Sequence, residues 1–121
     1  MKKILIVEDD ESIRESMVEL LESEGYNIAT AENGLIALDY LTENESNLPH
    51  LILLDLMMPV MDGFHFSENK SKIPSISHIP IVVLSADGHV KEKQEKAKAQ
   101  AYLRKPVDIF QVLDYVKKYA L

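Results

Sequence analysis

The sequence contains no cysteine and only four glycines and five prolines among its 121 residues. The absence of cysteine excludes a disulfide framework and any metal site built on thiolates, and it agrees with a reducing compartment. The low glycine and proline content, with 46% hydrophobic and 27% charged residues, is typical of a globular protein. We therefore expect one domain, residues 1–121, with one hydrophobic core.

Long apolar runs are also missing from the chain. No run approaches the ~18 apolar residues that a membrane-spanning helix requires. The N-terminal run from Ile4 to Val7 stops at Glu8, so it is too short for the hydrophobic region of a signal peptide. These absences predict a soluble, cytoplasmic protein without a membrane partner.

The charge of the chain is acidic and unevenly distributed. A formal net charge of -7 disfavours nucleic acid as a direct partner. Between residues 8 and 24, eight acidic side chains accompany a single basic one, Arg14. This segment accounts for the whole net charge, so the remainder of the chain is close to neutral.

Short apolar runs alternate with stretches of helical periodicity. Five runs are predicted as strands: Lys3 to Val7, Tyr26 to Ala31, Leu51 to Leu54, Ile79 to Leu84 and Ala101 to Arg104. Continuous apolar strands are buried on both faces, as in parallel sheets. The alternation predicts a doubly wound α/β domain with five parallel strands and five helices.

Capping residues and apolar spacing predict where the helices lie. The first helix ends near Gly25, the second begins after Asn33 and the last begins after Asp108. The third runs from Gly63 towards Pro74 and has a thin apolar face. The fourth, from Val90 to Ala99, is mostly Lys, Glu, Gln and Ala, which favours helix but offers little apolar surface.

Polar side chains follow the carboxyl ends of four predicted strands. Glu8 and Asp9 follow the first strand, Asp55 the third, Ser85 the fourth and Lys105 the fifth. In open parallel sheets, ligands bind beyond the carboxyl ends of the strands, where the strand order reverses. If the order is 2-1-3-4-5, strands 1 and 3 are neighbours and the three carboxylates converge on one site.

The chemistry of these side chains favours a hard cation and phosphoryl transfer. Neighbouring carboxylates repel unless a cation or shared protons intervene, and oxygen ligands favour Mg²⁺ before Ca²⁺. The cation would let a phosphoryl donor approach Asp55 as a carboxylate nucleophile. Lys105 can neutralise a second oxygen, and Ser85 can donate a hydrogen bond to a third. Each residue alone is more often a loop, cap or surface residue, and their coincidence at strand ends carries the prediction.

Four motifs together resemble the receiver domain of two-component response regulators, over essentially the whole chain. They are Ile4 to Asp10, Leu53 to Pro59 with the following Asp62-Gly63, Val83 to Ala86, and Tyr102 to Pro106. Each motif is modest alone, but four in this order and spacing are highly specific. The resemblance implies a flavodoxin-like fold with strand order 2-1-3-4-5.

The resemblance implies a metal site and a phosphorylation site. Asp55 is the implied phosphoacceptor. Asp9 contacts Mg²⁺ directly, Glu8 does so through water, and the backbone carbonyl of Met57 is a further ligand. Glu8 stands where many members have Asp, and its longer side chain is expected to reach a metal-bound water.

The resemblance also implies a switch. Ser85 would move towards the phosphoryl group and Lys105 would pair with it, next to a cis bond to Pro106. Tyr102 would swing inward as Ser85 shifts. This movement would change the surface formed by the predicted fourth helix, fifth strand and fifth helix.

Two further positions are expected to tune the lifetime of the phosphate. Met57 and Asp87 lie two residues after Asp55 and Ser85, where family members flank the path of the hydrolysing water. We hypothesise that Met57, bulky and apolar, slows that water.

The implied partners are proteins. A sensor histidine kinase or a histidine phosphotransfer protein would donate the phosphoryl group, docking on the first helix and its acidic neighbours. The output would be contact with a downstream target, and the predicted helix 4, strand 5 and helix 5 surface is the family's usual face for a phosphorylation-dependent homodimer. The protein would not be an enzyme with a separate substrate, since it would catalyse only its own phosphorylation and dephosphorylation.

Three residues depart from the family pattern in ways that bear on packing. Lys98 replaces a Gly in the turn before the fifth strand, and Val107 replaces a frequent Phe after Lys105-Pro106. Lys70 falls where the third helix usually buries an aliphatic side chain. These departures predict altered packing of the last three helices and unaltered phosphorylation chemistry.

Three other functions fit parts of the pattern. A Mg²⁺-dependent phosphatase also uses a strand-end Asp, but it would want a second acid where Met57 stands. A flavodoxin-like FMN binder needs a Ser-, Thr- and Gly-rich loop after the first strand, where this chain has acids. A receiver-like module that works without phosphorylation would have no need of Asp9, Asp55, Ser85 and Lys105 together.

Overall fold

The computed structural model describes residues 2–56, 58, 60–86, 92, 95 and 97–120. Its elements are β1 (Lys3–Val7), α1 (Glu11–Ser23), β2 (Asn27–Ala31), α2 (Gly34–Glu43), β3 (Leu51–Asp55), α3 (Gly63–Ser71), β4 (Ile81–Ser85), β5 (Ala101–Arg104) and α4 (Ile109–Tyr119). The strands form a parallel sheet of order β2-β1-β3-β4-β5. The predicted α/β class, five parallel strands and strand order are confirmed.

The prediction of five helices is wrong for the described residues, which contain four. Half of the predicted fourth helix, Val90 to Ala99, lies outside them; in the described half, Glu92 and Glu95 are helical and Ala97 and Lys98 form a turn. The helix predicted as the fifth is therefore α4. None of the helices that the structure describes is long and apolar enough to cross a bilayer.

Two apolar clusters cover the two faces of the sheet. Successive residues of a strand point to opposite faces, so Leu5 and Val7 join the cluster with α2 and α3, while Ile4 and Ile6 join the one with α1 and α4. All five residues of β3 and of β4 are buried. The prediction that the central strands are buried on both faces is confirmed, and each fully buried Leu or Ile contributes roughly 1.5–3 kcal/mol.

Each of the four helices begins at a side chain that accepts a hydrogen bond from the backbone two or three residues later. These caps are Asp10, Asn33, Asp62 and Asp108. Such a cap satisfies a backbone N–H that has no partner within the helix, and each contributes about 1 kcal/mol. The predicted helix starts after Asn33 and Asp108 are confirmed.

Two strands begin later than predicted. β4 starts at Ile81 rather than Ile79, because Pro80 has no N–H to donate to the ladder. The N–H of Ile79 instead donates to the carbonyl of Ile76 at 3.2 Å, within a turn. β2 starts at Asn27, since the N–H of Tyr26 turns back to the end of α1.

Two of the departures from the family pattern have clear local consequences. Lys98 has φ = 53°, so the turn before β5 keeps a left-handed conformation that costs a non-glycine residue roughly 1–2 kcal/mol. Lys70 is buried on α3, where its Nζ donates to the carbonyl of Ser77 at 3.0 Å. Burial lowers the pKa of Lys70 to about 8, because the charged ammonium has lost most of its water.

Candidate functional site

The carboxyl ends of β1 and β3 bring three acids together. Val7 pairs with Leu54 in the sheet, so the residues that follow them leave neighbouring strands at one edge. One carboxylate oxygen from each of Glu8, Asp9 and Asp55 lies within 4.8 Å of the other two. Glu8 and Asp55 are buried, while Asp9 is exposed at the mouth of the site.

Glu8 is the least satisfied of these acids. It is fully buried, and Oε1 accepts a hydrogen bond from Lys105 Nζ at 2.8 Å. Within the part of the chain that the structure describes, the buried Oε2 has no hydrogen-bond partner. An unpaired buried acceptor of this kind costs about 1–3 kcal/mol, and more when it is charged. A cation or a cation-bound water beside Oε2 would remove that cost.

Lys105 lies between two of the acids. Its Nζ is 2.8 Å from Glu8 Oε1 and 3.5 Å from Asp55 Oδ1. Burial alone lowers the pKa of Lys105, but the hydrogen bond to Glu8 and the charges of Asp55 and Glu8 raise it above its usual 10.5. The side chain therefore stays an ammonium in the neutral pH range, available to an anionic group bound at the site.

The backbone around Lys105 places it next to Ser85. Ser85 is buried at the end of β4 and pairs with Arg104 of β5. The N–H of Lys105 donates to the Ser85 carbonyl at 2.7 Å, and the following bond to Pro106 is cis. The structure thus brings Ser85 to the same sheet edge as the acids and the lysine.

Tyr102 belongs to the apolar core next to these residues. It pairs with Val83 across β4 and β5, and its side chain is buried in the cluster on the α2 and α3 side of the sheet. Ala97, in the turn before β5, belongs to the same cluster. Tyr102 is therefore a core side chain connected to the site through β4. Met57 and Asp87 lie outside the described residues.

Arg14 is a neighbour of the acids that sequence reasoning did not single out. Its Nη1 donates to the Glu8 carbonyl at 2.9 Å and lies 3.5 Å from the Asp9 carbonyl. The available signal was its position as the only base in the acidic segment 8–24.

Gly63 explains the Asp62-Gly63 motif beside the site. A Cβ atom at Gly63 would lie 2.8 Å from the Asp55 carbonyl oxygen and 2.8 Å from Leu56 Cα, both backbone atoms. The N–H of Gly63 also donates to the Leu56 carbonyl at 3.0 Å. Only glycine lets the first turn of α3 approach the end of β3 this closely.

An apolar surface adjoins the site on its β5 side. A cavity of about 440 Å³ lies beside Lys105 and Pro106, and one of about 290 Å³ lies between α1 and α4. Ile13 and Val107 line both. At the start of α4, Ile109 and Phe110 are 54% and 75% exposed.

The donor set of the site fits Mg²⁺. It consists of carboxylate oxygens, which hard divalent cations prefer, and it contains no His or Cys. The unpaired Glu8 Oε2 is the position that such an ion, or its water, would satisfy. Three carboxylates and an ammonium group within one small site suit the handling of a phosphoryl group.

Comparison with known proteins places the chain in a family. The family model of the response regulator receiver domain matches residues 4–117. Sporulation initiation phosphotransferase F of Bacillus subtilis is 38% identical over 120 residues, which cover 98% of this chain and 93% of that protein. Chemotaxis protein CheY4 of Vibrio cholerae is 30% identical, with a TM-score of 0.88 over 98% of both chains.

A more distant structure shares the fold. The receiver domain of the sensor histidine kinase PA1611 from Pseudomonas aeruginosa has a TM-score of 0.84 at 22% identity, over 98% of this chain and 97% of that one. The family match covers nearly all of this chain, and the relatives resemble it along almost their whole length. This chain belongs to the family of response regulator receiver domains of two-component systems.

Proposed function

We propose that Asp55 accepts a phosphoryl group in a Mg²⁺-dependent reaction and that a protein target reads the resulting change. Receiver domains are signalling modules, and this proposal assigns the roles within this one. One observation carries it: the buried Glu8 carboxylate has an unpaired oxygen in a cluster that also contains Asp9 and Asp55, with Lys105 alongside.

The acid cluster supports the assignment of the metal ligands. Asp9, Asp55 and the backbone carbonyl of Met57 would hold Mg²⁺ directly, and Glu8 would hold it through water. The PA1611 receiver domain, which shares the fold, has a magnesium ion coordinated in its active site cleft. When bound, Mg²⁺ would neutralise negative charge where an anionic donor meets an anionic acceptor.

Asp55, Lys105 and Ser85 would each have a separate role in phosphoryl transfer. A carboxylate oxygen of Asp55 attacks phosphorus, the bond to the donor breaks and an acyl phosphate forms. Lys105 leaves Glu8 and pairs, as an ammonium, with a phosphoryl oxygen. The Ser85 hydroxyl donates a hydrogen bond to another phosphoryl oxygen.

The same contacts would operate the switch. Movement of Ser85 towards the phosphoryl group would change the end of β4, two residues beyond Val83, which pairs with Tyr102 of β5. Tyr102 belongs to the same apolar cluster as Ala97, so a shift of its ring would change the packing of Ala97 in the turn before β5. New charge at Asp55 would thus shift the population of two surface conformations. Met57 and Asp87 would set how long that shift lasts.

The surface around α1 supports a protein phosphodonor. A sensor histidine kinase or histidine phosphotransfer protein would meet an acidic α1 and the apolar cavity between α1 and α4. Exposed Ile109 and Phe110 extend this apolar surface. We further propose a single cytoplasmic receiver domain over residues 1–121 that signals to a protein target, including a second copy of itself, without contacting nucleic acid. It would catalyse only its own phosphorylation and dephosphorylation.

Mass measurement after incubation with Mg²⁺ and acetyl phosphate tests this proposal. We expect the mass to rise by one phosphoryl group, and we expect no rise without Mg²⁺ or in Asp55→Asn. Asp39→Asn, which removes an exposed acid of α2, is the matched control and should be phosphorylated normally. A mass gain that survives Asp55→Asn, or no gain with the unmodified protein, would overturn the proposal.

A further inference from the structure

The only base in the acidic segment 8–24 holds the backbone that carries two of the clustered acids. Arg14 lies in the second turn of α1, and its Nη1 contacts the carbonyl oxygens of Glu8 at 2.9 Å and Asp9 at 3.5 Å. Among the described contacts, its guanidinium thus binds two consecutive carbonyls of the loop between β1 and α1.

The other described hydrogen bonds of this loop, residues 8–10 between β1 and α1, are made by Glu8 and Asp10 at its two ends. The N–H of Glu8 donates to the Ala31 carbonyl at 3.0 Å, which continues the pairing of β1 with β2. The side chain of Asp10 accepts from the N–H of Ile13 at 3.0 Å and caps α1. Arg14 contacts the loop between these two anchors.

The position of Asp9 depends most on this contact. Glu8 is fixed by burial and by Lys105, but Asp9 is exposed, so packing does not orient its side chain. The direction of its carboxylate therefore follows the backbone. We propose that Arg14 is a positioning residue for the divalent cation site, because it holds the Glu8 and Asp9 carbonyls so that both carboxylates face Asp55. This inference rests on the proposed function.

The charge of Arg14 would act in the opposite direction to its hydrogen bonds. A guanidinium near a cation site repels the cation, so removing it would tighten binding if charge were its main effect. Removing a group that orients ligands weakens metal binding instead, commonly by about 10- to 100-fold. The sign of the change in affinity therefore separates the two roles.

Calorimetric titration of the unphosphorylated protein with Mg²⁺, and separately with Mn²⁺, measures this sign. For Arg14→Met we expect the Kd of both ions to rise about tenfold. Arg14→Lys keeps the charge and one nitrogen donor, but its side chain is shorter than the arginine that brings Nη1 to both carbonyls, so its Kd should also rise, by a smaller factor. Lys117→Met, which removes a charge from the last turn of α4, should leave the Kd unchanged.

A second measurement needs no metal. In the metal-free protein we expect the amide hydrogens of residues 9–12 to exchange faster in Arg14→Met than in the unmodified protein, with unchanged exchange in β3. If Arg14→Met cannot be folded, Arg14→Lys carries both measurements. An unchanged or lower Kd in both variants, or unchanged exchange, would overturn the positioning role. If the protein without substitutions binds neither ion, that result would instead count against the proposed function.

Discussion

Lys105 Nζ lies 2.8 Å from the buried carboxylate of Glu8, nearer than the 3.5 Å that separates it from Asp55. The structure therefore pairs the ammonium more closely with Glu8 than with the proposed phosphoacceptor. Phosphorylation would require Lys105 to exchange this partner for a phosphoryl oxygen. The contact links the cation site to the phosphorylation site through one side chain.

Lys105→Met should destabilise the protein in a Mg²⁺-dependent way. The substitution leaves Glu8 buried without its hydrogen-bond donor, and breaking a buried pair costs about 3–5 kcal/mol. Bound Mg²⁺ would neutralise part of the unpaired negative charge of Glu8 and so restore part of the lost unfolding free energy. Urea unfolding with and without Mg²⁺ measures both effects. An equal loss of unfolding free energy in both conditions would contradict the proposed sharing of Glu8 between Lys105 and the cation.

Lys70→Met should stabilise the protein. The folded state lowers the pKa of Lys70 from 10.5 to about 8, so the unfolded chain binds more protons between these values. The cost of the buried ammonium is therefore fully present below pH 8 and disappears as the pH rises towards 10.5. At pH 7, the substitution should raise the unfolding free energy by roughly 1–3 kcal/mol.

The pH dependence of unfolding provides the check on Lys70. The stability of the unmodified protein should include a rise between pH 8 and 10.5 that is missing in Lys70→Met. Lys72→Met is the matched control, because Lys72 is exposed near the same end of α3 and its change should stay within about 0.5 kcal/mol. Parallel pH profiles for the protein and Lys70→Met would show that Lys70 keeps its ordinary pKa.

Gly63→Ala should damage both stability and phosphorylation. The new Cβ would lie 2.8 Å from the Asp55 carbonyl oxygen and from Leu56 Cα, and backbone atoms cannot give way cheaply. We expect a loss of about 1–3 kcal/mol, as for other overpacked sites, and slower phosphorylation by acetyl phosphate because Asp55 is displaced.

Gly25→Ala is the control for this substitution. Gly25 has φ = 93°, so alanine there is strained, but no atom lies within 4 Å of the added carbon. It should cost stability through the backbone while leaving the rate of phosphorylation unchanged. Equal rates for Gly63→Ala and the unmodified protein would disprove the link between this close approach and Asp55.

Met57→Asn should shorten the lifetime of the phosphorylated state. An amide can hydrogen-bond the attacking water, whereas we hypothesise that the apolar Met57 slows it, so we expect a several-fold faster loss of phosphate. The loss of phosphoryl mass after removal of the donor measures the rate. Val60→Asn is the control, since Val60 is 77% exposed and has φ = 70°, which Asn adopts readily. An unchanged rate in Met57→Asn would refute the hypothesis.

Local pattern was sufficient to predict most of the fold. The caps at Asn33 and Asp108 could be predicted from the sequence, because a capping side chain bonds to the backbone only two or three residues away. The start of β4 was predicted two residues too early, because the apolar run begins at Ile79. The strand begins only at Ile81, since Pro80 has no N–H to donate to the ladder. Of the helix predicted over 90–99 from composition, the described Glu92 and Glu95 are helical, while Ala97 and Lys98 form a turn in which Lys98 has φ = 53°.

The sequence by itself determined the α/β class and put Glu8, Asp9, Asp55, Ser85 and Lys105 at strand ends, because strand and helix periods are properties of neighbouring residues. The tertiary structure alone decided which of these side chains touch. Lys105 and Glu8 are 97 residues apart, and their 2.8 Å contact depends on strand register and side-chain length. The hydrogen bond from Arg14 to the Glu8 carbonyl and the burial of Lys70 were also decided by the tertiary structure, since both depend on how separate elements pack.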